Sequence, residues 1–410
     1  MKPTVLIATT ARWVTTARLA VAFSHAGCRV EAVCPPGHPV SKTSLAGNVH
    51  FFEGLAPLSS FAEAILATKP DLVVPTDDLA ARHLHELHRR EGHNGKARGL
   101  SELIERSLGA PESFPFLFAR TPLMELAHRE GVRVPTTRVV SATSDLRQCI
   151  EQMGLPIVLK ADGTSGGDGV RIAVTFEEAE RALRRLQAPP LLARAAKRAL
   201  FDQDRTLVWP SLLRRRYVVN AQALVPGREA TSAVACWNGT ILADLHFEVL
   251  SKRKSAGPAT VLRRIENSEM SAAAERIVRR LNLSGVIGFD FILKADTGDA
   301  YLIEMNPRAT QVGHLTLGPG HDIPAALYAA VTGEPIREAS KVTDNDTIAL
   351  FPNEWFRNPA SAFLRSGYHD IPWEEPELIR DCLRARQKQS GCSSPERFFE
   401  AFSPIRLPRP

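Results

Sequence analysis

Several features that mark other classes of protein are missing from this sequence of 410 residues. Its six cysteines form no CxxC pair, and a chain of this length needs no disulfide staples, so we expect reduced thiols. No apolar run approaches the ~20 residues that a membrane helix requires. Arg12 and Arg18 interrupt the apolar amino terminus, which argues against a signal peptide. These absences predict a globular, cytoplasmic protein with no membrane partner.

Lysine is also scarce, and this bears on the net charge of +6, because the 51 basic residues comprise 11 lysines and 40 arginines. The arginines are spread over many segments and surround no zinc-finger, basic-helix or RNA-binding pattern. A solvated basic surface is therefore the favoured interpretation, and no nucleic-acid partner is expected. An anion-binding site among the arginines is the alternative.

The first hundred residues alternate apolar strands with amphipathic helices, which is typical of a parallel α/β unit. A strand is predicted at Thr4–Ala8, and the loop after it reads Thr9-Thr10-Ala11. This loop lacks the GxGxxG pattern that brings a backbone close to a dinucleotide pyrophosphate. NAD binding is therefore not expected.

The strongest positive signal is a hairpin in which polar and apolar residues alternate, over residues 288–293 and 301–308. Because side chains alternate along a strand, Asp290 lies on the face opposite to three apolar neighbours, and Glu304 and Asn306 share one face of the return strand. A turn centred on Thr297 sets Asp290 directly opposite Glu304. The sequence thus predicts a patch of three oxygen-bearing side chains.

Two facing carboxylates repel each other, and a stable sheet rarely tolerates such a pair without a compensating cation. Two carboxylates and an amide oxygen suit Mg²⁺, which usually shares its ligand shell with substrate phosphates. The alternative is a polar strand face that is partnered by arginines such as Arg308.

A glycine-rich turn follows the predicted strand at residues 157–160, which ends in Lys160. The glycines of this turn expose backbone N–H groups that can cradle phosphates, and Lys160 would add a positive charge; they are Gly163, Gly166, Gly167 and Gly169. The same turn matches the GxSxG pattern around Ser165, but that motif needs a helix after the serine, and a strand is predicted instead. A structural hairpin turn without a ligand is the remaining alternative.

Two further clusters each have a functional and a structural interpretation. A run of histidines hints at a transition-metal site but lacks HExxH, so a solvated helix is favoured; the run comprises His83, His85, His88 and His93. A basic loop at residues 252–259, with Arg263 and Arg264 beyond it, could hold a substrate carboxylate or be ordinary surface charge.

Taken in order, the Lys160 strand with its glycine turn, the segment 220–229 and the Asp290 to Arg308 hairpin resemble the ATP-grasp superfamily over roughly residues 115–320. The resemblance implies a mixed α/β and α+β fold, in which an N-terminal parallel α/β (pre-ATP-grasp) domain precedes an ATP-grasp fold with a mobile lid subdomain. The expected boundaries are 1–114 for the first domain, 115–225 for the part with the lid, 226–340 for the core with the metal site, and 341–410 for an extension of unknown role.

The resemblance also implies a role for each matching residue. Arg120 and Lys160 would contact the nucleotide phosphates together with the glycine turn. The hinge would read adenine and Glu229 would hold the ribose hydroxyls; the hinge residues are Gln222, Ala223 and Val225. Many relatives have glutamate where Gln222 or Ala223 stands, so adenine reading would depend on backbone groups. The implied Mg²⁺ ligands are Asp290, Glu304 and Asn306, and Arg308 would steady an acyl phosphate, with Arg308 and Lys160 as the catalytic residues.

The implied reaction is ligation with ATP and Mg²⁺, for which Mn²⁺ is an expected substitute. A small-molecule carboxylate would be activated as an acyl phosphate and joined to an amine, with release of ADP and phosphate. A bicarbonate-activating enzyme and a nucleotide-binding regulator without ligase activity are the alternatives. A homodimer is common among relatives with this fold, and the sequence itself leaves the oligomeric state open.

Overall fold

The computed structural model describes residues 2–45, 47–94, 98–164, 167, 169–189, 192, 196, 208–214, 216–254, 257–336, 340–390 and 398. The strands are β1 (Thr4–Ala8), β2 (Arg29–Cys34), β3 (Val49–Phe51), β4 (Leu72–Pro75), β5 (Thr137–Val140), β6 (Ile157–Ala161), β7 (Val170–Ala173), β8 (Val219–Ala223), β9 (Gly227–Trp237), β10 (Thr240–Lys252), β11 (Ala259–Arg264), β12 (Gly285–Lys294), β13 (Ala300–Asn306), β14 (Thr347–Leu350) and β15 (Tyr368–Asp370).

The helices are α1 (Val14–His25), α2 (Pro57–Thr68), α3 (Asp78–Asn94), α4 (Arg98–Leu108), α5 (Phe114–Leu117), α6 (Arg120–Arg129), α7 (Thr143–Met153), α8 (Phe176–Gln187), α9 (Val208–Leu212), α10 (Ser268–Arg280), α11 (Ile323–Thr332), α12 (Asn353–Arg357), α13 (Phe363–Ser366) and α14 (Pro376–Ser390). None of the described helices is long and apolar enough to cross a membrane.

The amino-terminal sheet is parallel, with the strand order β3-β2-β1-β4. Its strands are apolar on both faces because helices cover both of them. One face packs in the core that contains Phe61 and the α3 and α4 residues Leu84 and Ile104. The other face shares a core with α1 and the large sheet. The predicted parallel α/β unit is therefore confirmed.

A second, antiparallel sheet has the order β5-β8-β6-β7 and carries the glycine-rich turn between β6 and β7. Helices α7 and α8 pack on one of its faces, where Leu146, Leu159 and Leu183 are buried. Its own small hydrophobic core makes this sheet a compact subdomain, as expected of a lid.

The largest sheet has seven strands in the order β13-β12-β9-β10-β11-β14-β15. Its neighbours are antiparallel except for the parallel pair β14 and β15. One face packs on α6 and α10 through residues such as Phe289 and Ile277. Because the apolar side chains of β12 face this core, its polar side chains face the other way, toward the lid.

The carboxy-terminal segment, for which the sequence indicates no role, is an integral part of this sheet. Strand β14 pairs with β11 and β15 pairs with β14, so the segment supplies the outer edge of the large sheet. It also contacts the amino-terminal unit, because Arg18 of α1 binds Asp370 of β15 and Glu375 accepts hydrogen bonds from Ser44. The segment thus joins the core sheet to the amino-terminal unit.

Candidate active site

Strands β12 and β13 bring the predicted carboxylates together. Asp290 lies directly opposite Glu304, as the alternating pattern predicts. The Asn306 side chain, two positions further along β13, donates a hydrogen bond from Nδ2 to Oδ2 of Asp290 at 3.0 Å. A register shift follows, so that Phe291 rather than Ile292 opposes Leu302. The bulge leaves the polar patch intact, because it begins only after the Asp290–Glu304 pair.

A glycine at position 288 lets the next segment approach this hairpin closely. Gly288 opposes Asn306, and a Cβ atom added to it would lie 2.2 Å from the Thr310 side chain. Any larger residue would therefore push Thr310 away from the strand. Thr310, like Arg308, lines the cleft in front of the carboxylates.

The electrostatics of the hairpin favour the binding of a cation. Burial and the charge of Glu304 raise the pKa of Asp290 to about 6. Burial would also raise the pKa of Glu304, but Arg120 and Lys160 outweigh it and hold that pKa below its usual value. A divalent cation between the two carboxylates would remove the repulsion that raises the Asp290 pKa. Asp290, Glu304 and Asn306 therefore fit the donor set of Mg²⁺.

No group of three or more His, Cys, Asp or Glu side chains that could hold a metal occurs in the described part of the chain. The hairpin provides two carboxylates and the Asn306 amide, whose nitrogen faces Asp290 and whose oxygen accepts from Arg308, so the amide must turn over to offer its oxygen to a metal. Such a set leaves coordination positions for water and for substrate oxygens, which is how Mg²⁺ is commonly held beside phosphates.

Two cations face these carboxylates from other elements. Arg120 begins α6 and binds Oε1 of Glu304 at 2.6 Å and Oδ1 of Asp162 at 2.9 Å. Nζ of Lys160 lies 3.4 Å from the carbonyl oxygen of Ile303. Burial lowers the pKa of Lys160 to about 8. Both cations therefore lie beside the carboxylate pair. Arg120 is bonded to Glu304, and burial makes the charged form of Lys160 unfavourable.

At two positions the glycine turn has a positive φ angle, a backbone conformation that favours glycine. Gly163 and Gly167 have φ values of +77° and +80°. Gly167 and Thr164 line the same cleft as Lys160. Gly166 and Ser165, which the sequence analysis also singles out, lie outside the described residues.

The hinge connects the lid sheet to the core sheet. Its residues Gln222, Ala223 and Val225 line the cleft at the end of β8. The Gln222 amide donates to Oγ1 of Thr137 at 3.0 Å, so this side chain is engaged within the lid sheet. Because glutamine stands at position 222 and its side chain is engaged, only the backbone groups of the hinge would be offered to adenine.

Glu229 lines the other side of the cleft and is paired with Lys252 at 2.5 Å. Lys252 lies at the end of β10, in the basic loop of the sequence analysis. Arg263 is instead part of β11, opposite Glu248, which it binds at 2.6 Å. Glu248 also binds Arg228. These contacts favour the surface-charge interpretation for Arg263 and place Lys252 at the cleft.

The amino-terminal unit contributes residues that the sequence analysis missed. Asp78 at the start of α3 binds Nε of Arg308 at 3.0 Å, and Trp13 lines the same cleft. The topology offers a signal for them: β1 lies between β2 and β4, and ligands bind beyond the carboxyl ends of parallel strands where the strand order reverses. Trp13 and Asp78 follow β1 and β4 at that point.

All the predicted site residues within the described part of the chain line one cleft of about 360 Å³. The volume lies in the range of small-molecule sites, about 300–1,000 Å³. The lid, the hinge, the hairpin of β12 and β13 and the amino-terminal unit each contribute a wall. Cations, carboxylates and apolar hinge residues are thus brought together in one place.

Other candidate clusters are structural. His85 and His88 of α3 are not solvated, since His85 stacks on Phe114 and His88 bonds Glu105. The side chain of His93 lies outside the described part of the chain. A buried chain joins Ser232 through His246 to Asp244, with distances of 2.7 Å and 2.9 Å. Ser232 is 0% exposed, so this arrangement cannot act as a hydrolase nucleophile.

A lid sheet and a core sheet that meet at a hinge over facing carboxylates define an ATP-grasp fold. Residues 123–318 match the sequence model of the family described as carbamoyl-phosphate synthase L chain, ATP binding domain. These residues therefore form an ATP-grasp domain, as the resemblance implies.

Relatives and solved structures agree with this assignment. The carbamoyl phosphate synthase large chain of Methanosarcina mazei is 24% identical over 328 residues, which cover 73% of this chain and 27% of that protein. The chain thus spans about a quarter of the length of the curated relatives it matches.

Among solved structures, N5-carboxyaminoimidazole synthase from Aspergillus clavatus, in complex with ADP and 5-aminoimidazole ribonucleotide, superposes with a TM-score of 0.58 at 13% identity, covering 82% of this chain and 78% of that one. The biotin carboxylase domain dimer of Hydrogenobacter thermophilus 2-oxoglutarate carboxylase, with MgADP and bicarbonate, gives 0.56 at 16% identity, covering 83% and 72%. At these identities the likeness concerns the fold.

Proposed function

We propose that this protein is an ATP-dependent ligase that activates a carboxylate as an acyl phosphate and joins it to an amine. The observation that carries the proposal is the Asp290–Glu304 pair with Asn306, set in the same cleft as Lys160 and Arg120. A polyanion with its divalent cation satisfies both the repelling carboxylates and the desolvated Lys160.

The cleft accounts for each part of a bound nucleotide. The hinge backbone would hold adenine between the apolar lid residues Val158 and Ile172 and the core residue Ile292, all of which line the cleft. Glu229 would accept hydrogen bonds from the ribose once its Lys252 partner yields. Lys160, Arg120 and the glycine turn would then face the phosphates.

Asp290, Glu304 and Asn306 would hold the metal. When bound, Mg²⁺ neutralises charge that builds up on the transferred phosphoryl group. Arg308, fixed by Asp78 at 3.0 Å and by Oδ1 of Asn306 at 3.2 Å, would stabilise the acyl phosphate from the far side. Mn²⁺ offers the same oxygen-ligand chemistry, so we expect it to substitute.

The reaction needs no nucleophile from the protein. A carboxylate oxygen attacks the γ-phosphorus of ATP, the bond from that phosphorus to the bridging oxygen breaks, and ADP leaves with the electron pair. The amine nitrogen then attacks the acyl carbon, the carbon–oxygen bond to phosphate breaks, and the amine loses its proton to solvent. The lid would keep water from the labile acyl phosphate.

A second candidate is the same chemistry with bicarbonate as the carboxylate. It is supported by the similarity to carbamoyl phosphate synthase large chains and by the bicarbonate in the biotin carboxylase domain structure. That structure is also a dimer, which supports a homodimer for this chain. A regulator without ligase activity is disfavoured. Nucleotide binding alone does not require two facing carboxylates together with Arg308, which Asp78 fixes beside them.

The test is a coupled assay of ADP release with Mg²⁺, run with organic carboxylates or bicarbonate and with or without amine acceptors. We expect carboxylate-stimulated release that Glu304→Ala reduces to background. Glu266→Ala is the matched control, since Glu266 is 76% exposed at its side chain and pairs with Arg264 outside the cleft. ADP release that no carboxylate stimulates, or that Glu304→Ala leaves intact, refutes the ligase.

A further inference from the structure

A groove follows helix α3 away from the hairpin of β12 and β13. Asp78, at the start of α3, binds Arg308 and lines the narrow cavity beside the hairpin. Arg82 is four residues further along and lies on the same helix face, about 6 Å outward along the axis. The groove continues past His85 to Arg89 near the surface.

Arg82 is a half-buried cation without a carboxylate partner among the described residues. Asp78 and Asp162 act on its charge, but Asp78 is bonded to Arg308 and Asp162 to Arg120. The Arg82 guanidinium lies 4.4 Å from the centre of the Phe118 ring, and its Nε is buried without a hydrogen-bond partner. Burial lowers the Arg82 pKa from its ordinary value, and the charges of Asp78 and Asp162 oppose this shift.

The walls of the groove differ in character: α3 contributes polar and charged residues, including Glu86 and Arg89, and the facing wall is apolar and aromatic. They surround about 620 Å³, with Pro111, Phe114, Pro115 and Phe118 opposite α3. The His85 ring stacks on Phe114 at 3.8 Å between ring centres, and burial lowers the His85 pKa to about 3. His85 is therefore neutral and acts as one more flat wall.

A narrow cavity joins this groove to the reaction centre. It holds about 40 Å³ and is lined by Arg82 and Phe118 at one end and by Arg120, Glu304 and Asn306 at the other. The glycine turn also borders it, because a Cβ atom on Gly163 would lie 3.3 Å from Nη2 of Arg82. Arg82 thus stands between the aromatic groove and the carboxylate hairpin.

We propose that this groove binds the carboxylate substrate, and that this substrate is an organic acid with a flat apolar body rather than bicarbonate. The proposal rests on the ligase function above. The Arg82 guanidinium pairs with the carboxylate through two parallel hydrogen bonds, and Phe118 holds its plane. The body of the acid packs against Phe114 and His85. Bicarbonate has no apolar surface and would leave a groove of about 620 Å³ unused.

The direct test is calorimetric binding of phenylacetate, hexanoate, acetate and bicarbonate, in the presence of Mg²⁺ and a non-hydrolysable ATP analogue. We expect phenylacetate to bind about tenfold or more tightly than acetate, because only its ring fills the groove. Arg82→Gln weakens phenylacetate binding about tenfold or more, since it removes a charge-assisted contact. Arg82→Lys restores only part of it, because an ammonium lacks the planar fork.

The matched control is Arg90→Gln, which removes the same charge from the same helix. Arg90 is exposed, pairs with Glu86 and does not line the groove. Phe114→Ala tests separately the contact with the apolar body of the acid. It should weaken the binding of phenylacetate and leave the binding of acetate unchanged. Affinity for the ATP analogue is measured for every variant, and an unchanged value establishes that the variant is folded.

The outcomes separate this inference from the ligase proposal. If bicarbonate alone stimulates ADP release and Arg82→Gln behaves like Arg90→Gln, the ligase stands and the groove assignment is wrong. If phenylacetate binds in an Arg82-dependent way but no carboxylate stimulates ADP release, the groove stands and the ligase is wrong. Equal binding of phenylacetate and acetate overturns the apolar substrate.

Discussion

Two charged clusters in this protein respond to burial in opposite ways. At the joint between α1 and β15, Arg18 binds both carboxylate oxygens of Asp370, at 2.7 Å and 3.1 Å, and His314 binds one of them at 2.8 Å. Although burial opposes it, these partners lower the pKa of Asp370 to about 2. In the cleft, burial and Glu304 raise the pKa of Asp290 to about 6.

The difference shows which cluster is complete. The carboxylate of Asp370 has its counter-charges within the chain, so the joint is built for stability. Asp290 faces another carboxylate, and the nearby Lys160 has its pKa lowered to about 8 by burial. Both groups of the cleft are shifted toward neutrality, as expected where a cation and a polyanion are to be bound. The same substitution should therefore act differently in the two clusters.

The largest expected effect is on stability, in Asp370→Asn. Removing one partner of a buried ion pair leaves Arg18, whose side chain is 10% exposed, without its counter-charge. We expect the free energy of unfolding to fall by about 3–5 kcal/mol. Urea unfolding measures it, with Glu377→Gln, which breaks an exposed pair with Arg380 on α14, as the control. A loss equal to that of the control contradicts the stabilising role of the joint.

The corresponding change in the cleft, Asp290→Asn, should spare stability and abolish activity. Asparagine removes the repulsion with Glu304, so the free energy of unfolding should stay constant or rise by about 1 kcal/mol or less. Losing one metal ligand should slow ADP release about 100-fold to 1,000-fold. A variant that is destabilised like Asp370→Asn would show that the two clusters do not differ as described.

Acid should weaken the joint. The pKa of Asp370 is lowered from its ordinary 3.8 to about 2 in the folded chain, so its stabilisation is present above pH 4 and is lost as the pH falls toward 2. Between pH 5 and pH 3 the difference in unfolding free energy between the natural protein and Asp370→Asn should shrink by about 1 kcal/mol. Urea unfolding at both pH values measures this difference. A gap that widens at low pH contradicts the assignment.

The smallest effect is expected from Arg263→Gln on the surface. Arg263 is half-exposed, and Glu248 keeps its second partner, Arg228. The free energy of unfolding should change by about 1 kcal/mol or less. The KM for the carboxylate in the ADP assay should also stay constant, because β11 directs this side chain to Glu248. A raised KM would return Arg263 to the substrate site.

The sequence allowed the hairpin of β12 and β13 to be predicted in detail. Alternation placed Asp290 and Glu304 on one face, and the turn centred on Thr297 gave their register. The bulge after this pair, which sets Phe291 opposite Leu302, was not predictable, because it depends on how the strand packs against its neighbours. The residues' roles as ligands remain predictions.

Strand β11 shows a different limit. The sequence predicts no strand at residues 259–264, where Arg263 and Arg264 follow the basic loop at residues 252–259. This segment becomes a strand because β10 pairs with it on one side and β14 on the other. Its second partner is about 85 residues away, and no local pattern announces such a pairing.

The sequence by itself determined the local features of this protein: the parallel strands, the glycine turn after Lys160 and the paired carboxylates. These depend on side-chain alternation and on backbone preferences within a few residues. Only the tertiary structure decided that Asp78 holds Arg308, that Arg18 holds Asp370, and that Arg82 and Glu304 line one cavity. Such contacts join residues that are hundreds of positions apart, so they follow from the packing of whole sheets and leave no pattern in the chain.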